Sequence, residues 1–154
     1  MKKYIYIVLL IICSFANGQQ NKYQKIYYDF EDTKGVTTIS INKAMFNMLG
    51  NLQLDEDLKN MESLFKKMNS IKMIIATDKQ NEIVRTSLKN AFRNLNLEEL
   101  MAINNEGNKV KFYAEDSNSK VFKNLILNII SDETLMYMIL DGEISADDLN
   151  TLIK

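Results

Sequence analysis

The chain has 154 residues, with 19 Lys and Arg against 20 Asp and Glu, a single cysteine, and no histidine, proline or tryptophan. Without histidine there is no Ser-His-Asp triad, no Cys-His pair and no histidine-ligated zinc within this chain. A net charge of −1 with interspersed signs gives no basis for a nucleic-acid partner, and the lack of a long basic tract removes the polybasic cue for a membrane surface.

Lys2 and Lys3 open the chain, and an uncharged, mostly apolar run follows from Tyr4 to Phe15. Ala16-Asn17-Gly18 then places small residues ahead of Gln19. A basic start, a short apolar stretch and a small-residue exit make the pattern of a secretory signal peptide. The run is 12 residues long, well below the roughly 20 that a bilayer span needs. The expectation is therefore a signal peptide over 1–18 and one domain over 19–154, exported to the periplasm or secreted. Leu10-Ile11-Ile12-Cys13 has the outline of a lipoprotein signal, but a bulky Ile12 precedes the cysteine, so lipid attachment at Cys13 is the alternative. Cleavage before Gln19 takes Lys2 and Lys3 away and moves the net charge from −1 to −3. It also removes the only cysteine, and with it disulfides and thiolate chemistry. What remains suits one domain that buries its core without staples.

Tyr23, Ile26, Tyr27 and Phe30 follow helical spacing, and Gly35 is placed to end the turn behind them. Val36 to Ile41 alternates, with Thr37, Ile39 and Ile41 on one dry face of a strand. Asn42 caps a helical turn over Lys43 to Leu49, which Gly50 and Asn51 break. Asp55-Glu56-Asp57 starts a helix carrying Leu58, Met61, Leu64, Phe65 and Met68. Ser70 to Ala76 is a second strand. Thr77 and Gln80 form a capping box ahead of a helix striped by Val84, Leu88, Ala91, Phe92 and Leu95. Residues 98–115 form a β-hairpin about Asn104–Asn108. Val121 to Ile130 fits either a helix or a strand, and the tight reversal at Asp132-Glu133 favours a strand over 124–130. Thr134 to Leu140 is an apolar strand, and Asp141-Gly142 turns the chain. Ser145 with Asp148 caps a last helix carrying Leu149, Leu152 and Ile153. The expected fold is a single α+β domain, a largely antiparallel sheet with helices packed on one face.

The segments Tyr23–Asp32, Lys34-Gly-Val-Thr-Thr-Ile-Ser-Ile-Asn-Lys-Ala-Met-Phe46, Ile71–Thr77, Glu98-Glu-Leu-Met101, Val110-Lys-Phe-Tyr113 and Leu140-Asp-Gly-Glu-Ile144 occur in an order that resembles the domain of unknown function 4252 family. That family comprises small exported proteins of Bacteroidetes-type bacteria. The resemblance spans the mature chain, implies export and a single domain, and brings no activity. It also implies work alongside other envelope proteins or stress-response systems.

No side-chain set stands out as a catalytic, cofactor-binding or metal site. Asp55, Glu56 and Asp57 lack the spacing, central glycine and distal glutamate of a calcium loop. Glu98-Glu99 and Asp147-Asp148 are sequence neighbours, which diverge on a strand or a helix and do not face each other across a cleft as a glycan hydrolase requires. The methionines Met45, Met48, Met61, Met68, Met73, Met101, Met136 and Met138 read as adaptable core packing. Among Tyr23, Tyr27 and Tyr28, the period leaves Tyr28 the freer ring. No cofactor is expected. The composition points to a non-enzymatic binding or accessory protein of the cell envelope, with another envelope protein as its partner. The alternatives are a carrier of an apolar ligand and a carboxylate-dependent glycan hydrolase.

Overall fold

The computed structural model describes residues 22–49, 63–77 and 82–148. Helix α1 (Lys22–Phe30) leads into strand β1 (Val36–Asn42) and the short helix α2 (Lys43–Leu49). Strand β2 (Met68–Ala76) and helix α3 (Glu82–Arg93) follow. Four strands complete the order: β3 (Glu98–Asn105), β4 (Asn108–Ala114), β5 (Val121–Ile130) and β6 (Leu135–Ser145). Residues 63–67 and 146–148 are also helical. The six strands form one sheet in the order β1-β2-β6-β5-β4-β3, and every neighbouring pair is antiparallel. After β2 the chain crosses by way of α3 to the far edge, and three successive reversals then bring β6 back against β2. The fold is the expected single α+β domain.

Strand alternation divides the sheet into two faces. On the first, Ile74, Ala76, Ile126, Leu135, Tyr137 and Ile139 pack against Tyr23, Ile26, Tyr27 and Phe30 of α1 and Leu88 and Phe92 of α3. This is the helical face that the periodicity anticipates. Arg85 is buried and ties α3 to the β5–β6 turn by donating to the carbonyls of Glu133 and Ser131. On the second face, Phe112, Ala114, Leu125 and Leu140 join Phe46, Leu64, Phe122 and Ile144. The two longer helices thus share one face, while α2 and residues 63–67 cap one end of the other.

Local signals held where they were self-contained. Asn42 Oδ1 accepts from the Met45 N–H at 3.3 Å. The Ser145 N–H and Oγ donate to Asp148 Oδ2 at 2.8 and 2.7 Å, and the Asp148 N–H returns a bond to Ser145 Oγ. The ambiguous segment from Val121 is strand throughout. The hairpin turn is tighter than expected: Glu106-Gly107 alone makes the loop, both with positive φ (46° and 86°). That is the backbone of a two-residue turn whose twist suits the flanking strands.

Three expectations are corrected. Asp141-Gly142 does not turn the chain, because β6 runs through it to Ser145. Here β2 begins against β6, with Met68 paired to Gly142 and a register shift between Met68 and Ser70. A Cβ on Gly142 would lie 2.6 Å from the Lys67 carbonyl oxygen and 2.9 Å from Met68 Cα. The glycine serves close backbone approach rather than reversal. Met68 accordingly opens β2 instead of closing the preceding helix, since strand pairing overrides its helical spacing. The face of β1 expected to be dry is not dry along its length: Ile41 packs into the second cluster, but Ile39 is 38% exposed. The start of the helix at Asp55-Glu56-Asp57, with Leu58 and Met61, lies outside the described residues, as do Gly50, Asn51, Gln80 of the capping box, Leu149, Leu152, Ile153 and residues 1–18.

Candidate functional site

Helix α3 covers the sheet only as far as Arg93, after which the chain passes Leu95 and Leu97 on its way to β3. A cavity of about 320 Å³ remains between the end of α3 and the sheet. Its floor is Tyr113, Ile126, Asn128 and Tyr137; Lys89, Phe92 and Arg93 of α3 lie over it, and Leu95 and Leu97 close one side. Register explains this grouping. Tyr113 is the cross-strand partner of Ile126, and Asn128 is the partner of Tyr137. All four therefore share the helical face.

Phe92 stacks on Tyr137 with ring centroids 3.9 Å apart and planes 5° from parallel. Burial pushes the Tyr137 phenol up to about 12, the neighbouring Tyr113 adds to the rise, and a hydrogen bond with Asn128 opposes it. The hydroxyl stays protonated at any physiological pH. Asn128 is only 4% exposed, and its Oδ1 has no hydrogen-bond partner. A buried amide oxygen without a partner carries a desolvation cost of about 1–3 kcal/mol. Lys89 and Arg93 are one helical turn apart, both are exposed, and neither forms an ion pair among the described residues. The lining therefore holds two cations, no carboxylate and an apolar body, while the Asn128 oxygen is closed off from solvent.

The acids noted in the sequence are dispersed into structural tasks. Glu98 accepts from the Ser117 N–H at 2.8 Å, and the Ser117 side chain together with this N–H holds its carboxyl below the usual range. Glu99 pairs with Lys111 at 2.6 Å, and this hydrogen bond raises the lysine. Asp148 pairs with Lys67 at 2.8 Å as well as capping Ser145. Glu115 accepts from Tyr23 at 2.6 Å and pairs with Lys22 at 2.8 Å. Asp147 is exposed at the helical turn it helps to start. Among the described residues no group of three acidic, histidine or cysteine side chains is placed to hold a metal ion. No helix of those residues is long and apolar enough to cross a membrane.

Tyr23 and Tyr27 are buried, and Tyr28 is 48% exposed, as the period implied. Lys72, itself buried, sits 4.3 Å from the Tyr27 ring and 4.7 Å from the Tyr28 ring. Of the methionines, Met68 is fully buried, Met45 and Met48 are exposed, and Met61 lies outside the described residues. Met73, Met101 and Met138 are half-buried in one cross-strand row of the second face, Ile39-Met73-Met138-Leu127-Phe112-Met101.

No sequence motif marks Asn128, Tyr113, Tyr137, Lys89 or Arg93 as a site, and Lys89 and Arg93 read from sequence only as cations that suit the C-terminal half of their helix. One signal was present: if 121–130 is a strand, Asn124 and Asn128 fall on the same face as Ile126 and Ile130, two amides in an otherwise apolar row. The family model described as "Domain of unknown function (DUF4252)" matches residues 27–152. No curated protein and no solved structure matches the chain.

Proposed function

The chain belongs to the DUF4252 family, and we propose that it is an exported, non-enzymatic binding protein of the cell envelope that holds a small apolar ligand between α3 and the sheet. The export part of this reading rests on the sequence pattern of residues 1–18. The binding part rests on one observation above all: a cavity of about 320 Å³ between α3 and the sheet, lined mainly by Phe92, Leu95, Leu97, Tyr113, Ile126 and Tyr137. The size falls at the lower end of small-molecule sites, roughly 300–1,000 Å³.

Two measurements test the proposal. The mass of the protein recovered from its producing cells should correspond to a chain beginning at Gln19; an intact leader on a cytosolic pool would refute export. Binding of a neutral fluorescent hydrocarbon such as aminoanthracene should saturate at one equivalent. The cavity-filling change Leu97→Trp should abolish it while leaving the circular-dichroism spectrum unchanged. Equal binding by the filled variant would refute the seat. A second reading, accessory docking onto another envelope protein, draws on the half-buried methionine row of the opposite face. It makes the opposite forecast for Leu97→Trp, which leaves that face untouched.

A further inference from the structure

Helices α1 and α3 pack on the first face of the sheet; among the described residues the second carries only α2 and residues 63–67, at one end. Beyond that end lies the methionine row already described. Beside it runs a further row across all six strands, Thr37-Ile75-Met136-Ile129-Val110-Ile103. Thr37 is the only polar side chain in the two rows, and none is charged. Ile39 and Ile103, on the outer strands, are 38% and 42% exposed. Met73, Ile75, Met136 and Ile129 are half-buried and belong to neither buried cluster. Scattered apolar side chains are ordinary on a surface, but a contiguous apolar expanse marks an interaction site. We propose that a second copy of this chain covers this face, the two sheets stacking about 10 Å apart across a two-fold axis. Charge, rim and area all favour a copy. An uncharged face offers nothing for a complementary charge on a different partner to select, and it meets its own duplicate without repulsion. A surface that lies on lipid headgroups carries Lys or Arg around its apolar part; here the rim is Thr37 and the Asn105–Asn108 pair. Six strands and three rows, counting that rim, span roughly 29 Å by 20 Å, about 600 Å² in projection on each copy, so a pair reaches the lower end of stable interfaces at about 1,200 Å². Methionine side chains adapt to one another across such a contact. The face lies opposite the cavity, so the pairing is independent of ligand binding.

Sedimentation equilibrium of the unaltered, purified chain is the test. An interface of this size associates in the micromolar range, so the mean mass should rise from one chain to two between about 1 and 300 μM. Met136→Lys places an ammonium group from each copy in the contact and should weaken the association at least about a hundredfold, because an unpaired charge there must be desolvated. Ile103→Lys, at the exposed rim, should weaken it about tenfold and is the variant to read if Met136→Lys fails to fold. Ile83→Lys, on α3 where Ile83 is 81% exposed, should leave it unchanged. A chain that stays single up to about 300 μM, well above the expected range, overturns the pairing. Capture of a different envelope protein, or flotation with lipid vesicles, by that single chain would then assign the face to the other partner. A dimer equally tight in Met136→Lys, or in Ile103→Lys where that is the variant read, would overturn the assignment to this face.

Discussion

Asn128→Leu should stabilise the folded chain. Asn128 is 4% exposed, lies in an apolar row, and leaves its Oδ1 without a partner. Removing a buried, unmatched acceptor relieves a cost of about 1–3 kcal/mol. The substitution also loses the hydrogen bond that Asn128 makes with Tyr137, worth about 1 kcal/mol. Leucine brings additional apolar contact with Ile126 and Ile130 on the same face. The net expectation is a gain of about 1 kcal/mol, or a rise of roughly 3 °C in Tm for a chain of this size. Urea unfolding of the unliganded full chain reads it directly: the midpoint should rise while the slope stays constant. A fall in stability of 1 kcal/mol or more, on the order of one neutral hydrogen bond, would refute the reasoning. Oδ1 would then be satisfied in the unliganded protein, and the residue would be structural.

Three further outcomes follow from geometry. Gly142→Ala should destabilise by about 2 kcal/mol, since a Cβ there meets backbone at 2.6 Å and backbone cannot rotate away; chemical denaturation measures it, and a neutral effect would mean that the β2–β6 approach is looser than described. Glu106→Asn should stabilise by about 0.5–1 kcal/mol, because asparagine tolerates the left-handed φ of 46° better than glutamate, and a rise in Tm is the readout. Asp148 titrates with a definite sign. Burial of its side chain, 11% exposed, would by itself raise its pKa, but hydrogen bonds from Lys67 and Ser145 outweigh this and hold it below the ordinary range. Its stabilising share is therefore present above the ordinary aspartate range and is lost as pH falls through the lowered value. Asp148→Asn should flatten that acid limb of the stability profile below about pH 4 and cost stability at neutral pH; an unchanged acid limb would refute the assignment.

The fold was legible wherever a signal was complete within a few residues. The α1 stripe of Tyr23, Ile26, Tyr27 and Phe30, the Asn42 cap and the Ser145–Asp148 pair each depend on neighbours in sequence, and each forms. Asp141-Gly142 misled because its turn chemistry is local while its real constraint, the passage of Lys67 and Met68, comes from more than seventy residues away. Met68 misled for the same reason. The site was less legible still. Lys89 and Arg93 are ordinary surface cations on any helical wheel, and Tyr113 and Tyr137 alternate like any core aromatic. Only register across β4, β5 and β6 puts Tyr113, Ile126, Asn128 and Tyr137 on one floor, and that register depends on a segment whose period fits helix and strand alike.

Strand β6 is the last of the described strands in sequence, yet it occupies the middle of the sheet. Without it the sheet would divide into two ribbons, β1-β2 and β3-β4-β5, with bare hydrogen-bonding margins where β6 now pairs. One late segment welds them together, and it brings Tyr137 to the cavity floor. Closure over such sequence distances is slow, and a fragment ending before residue 135 would present two sticky margins instead of one sealed interior. A chain that emerges in order from its N-terminus therefore reaches the locked state only when nearly all of the described strands are available.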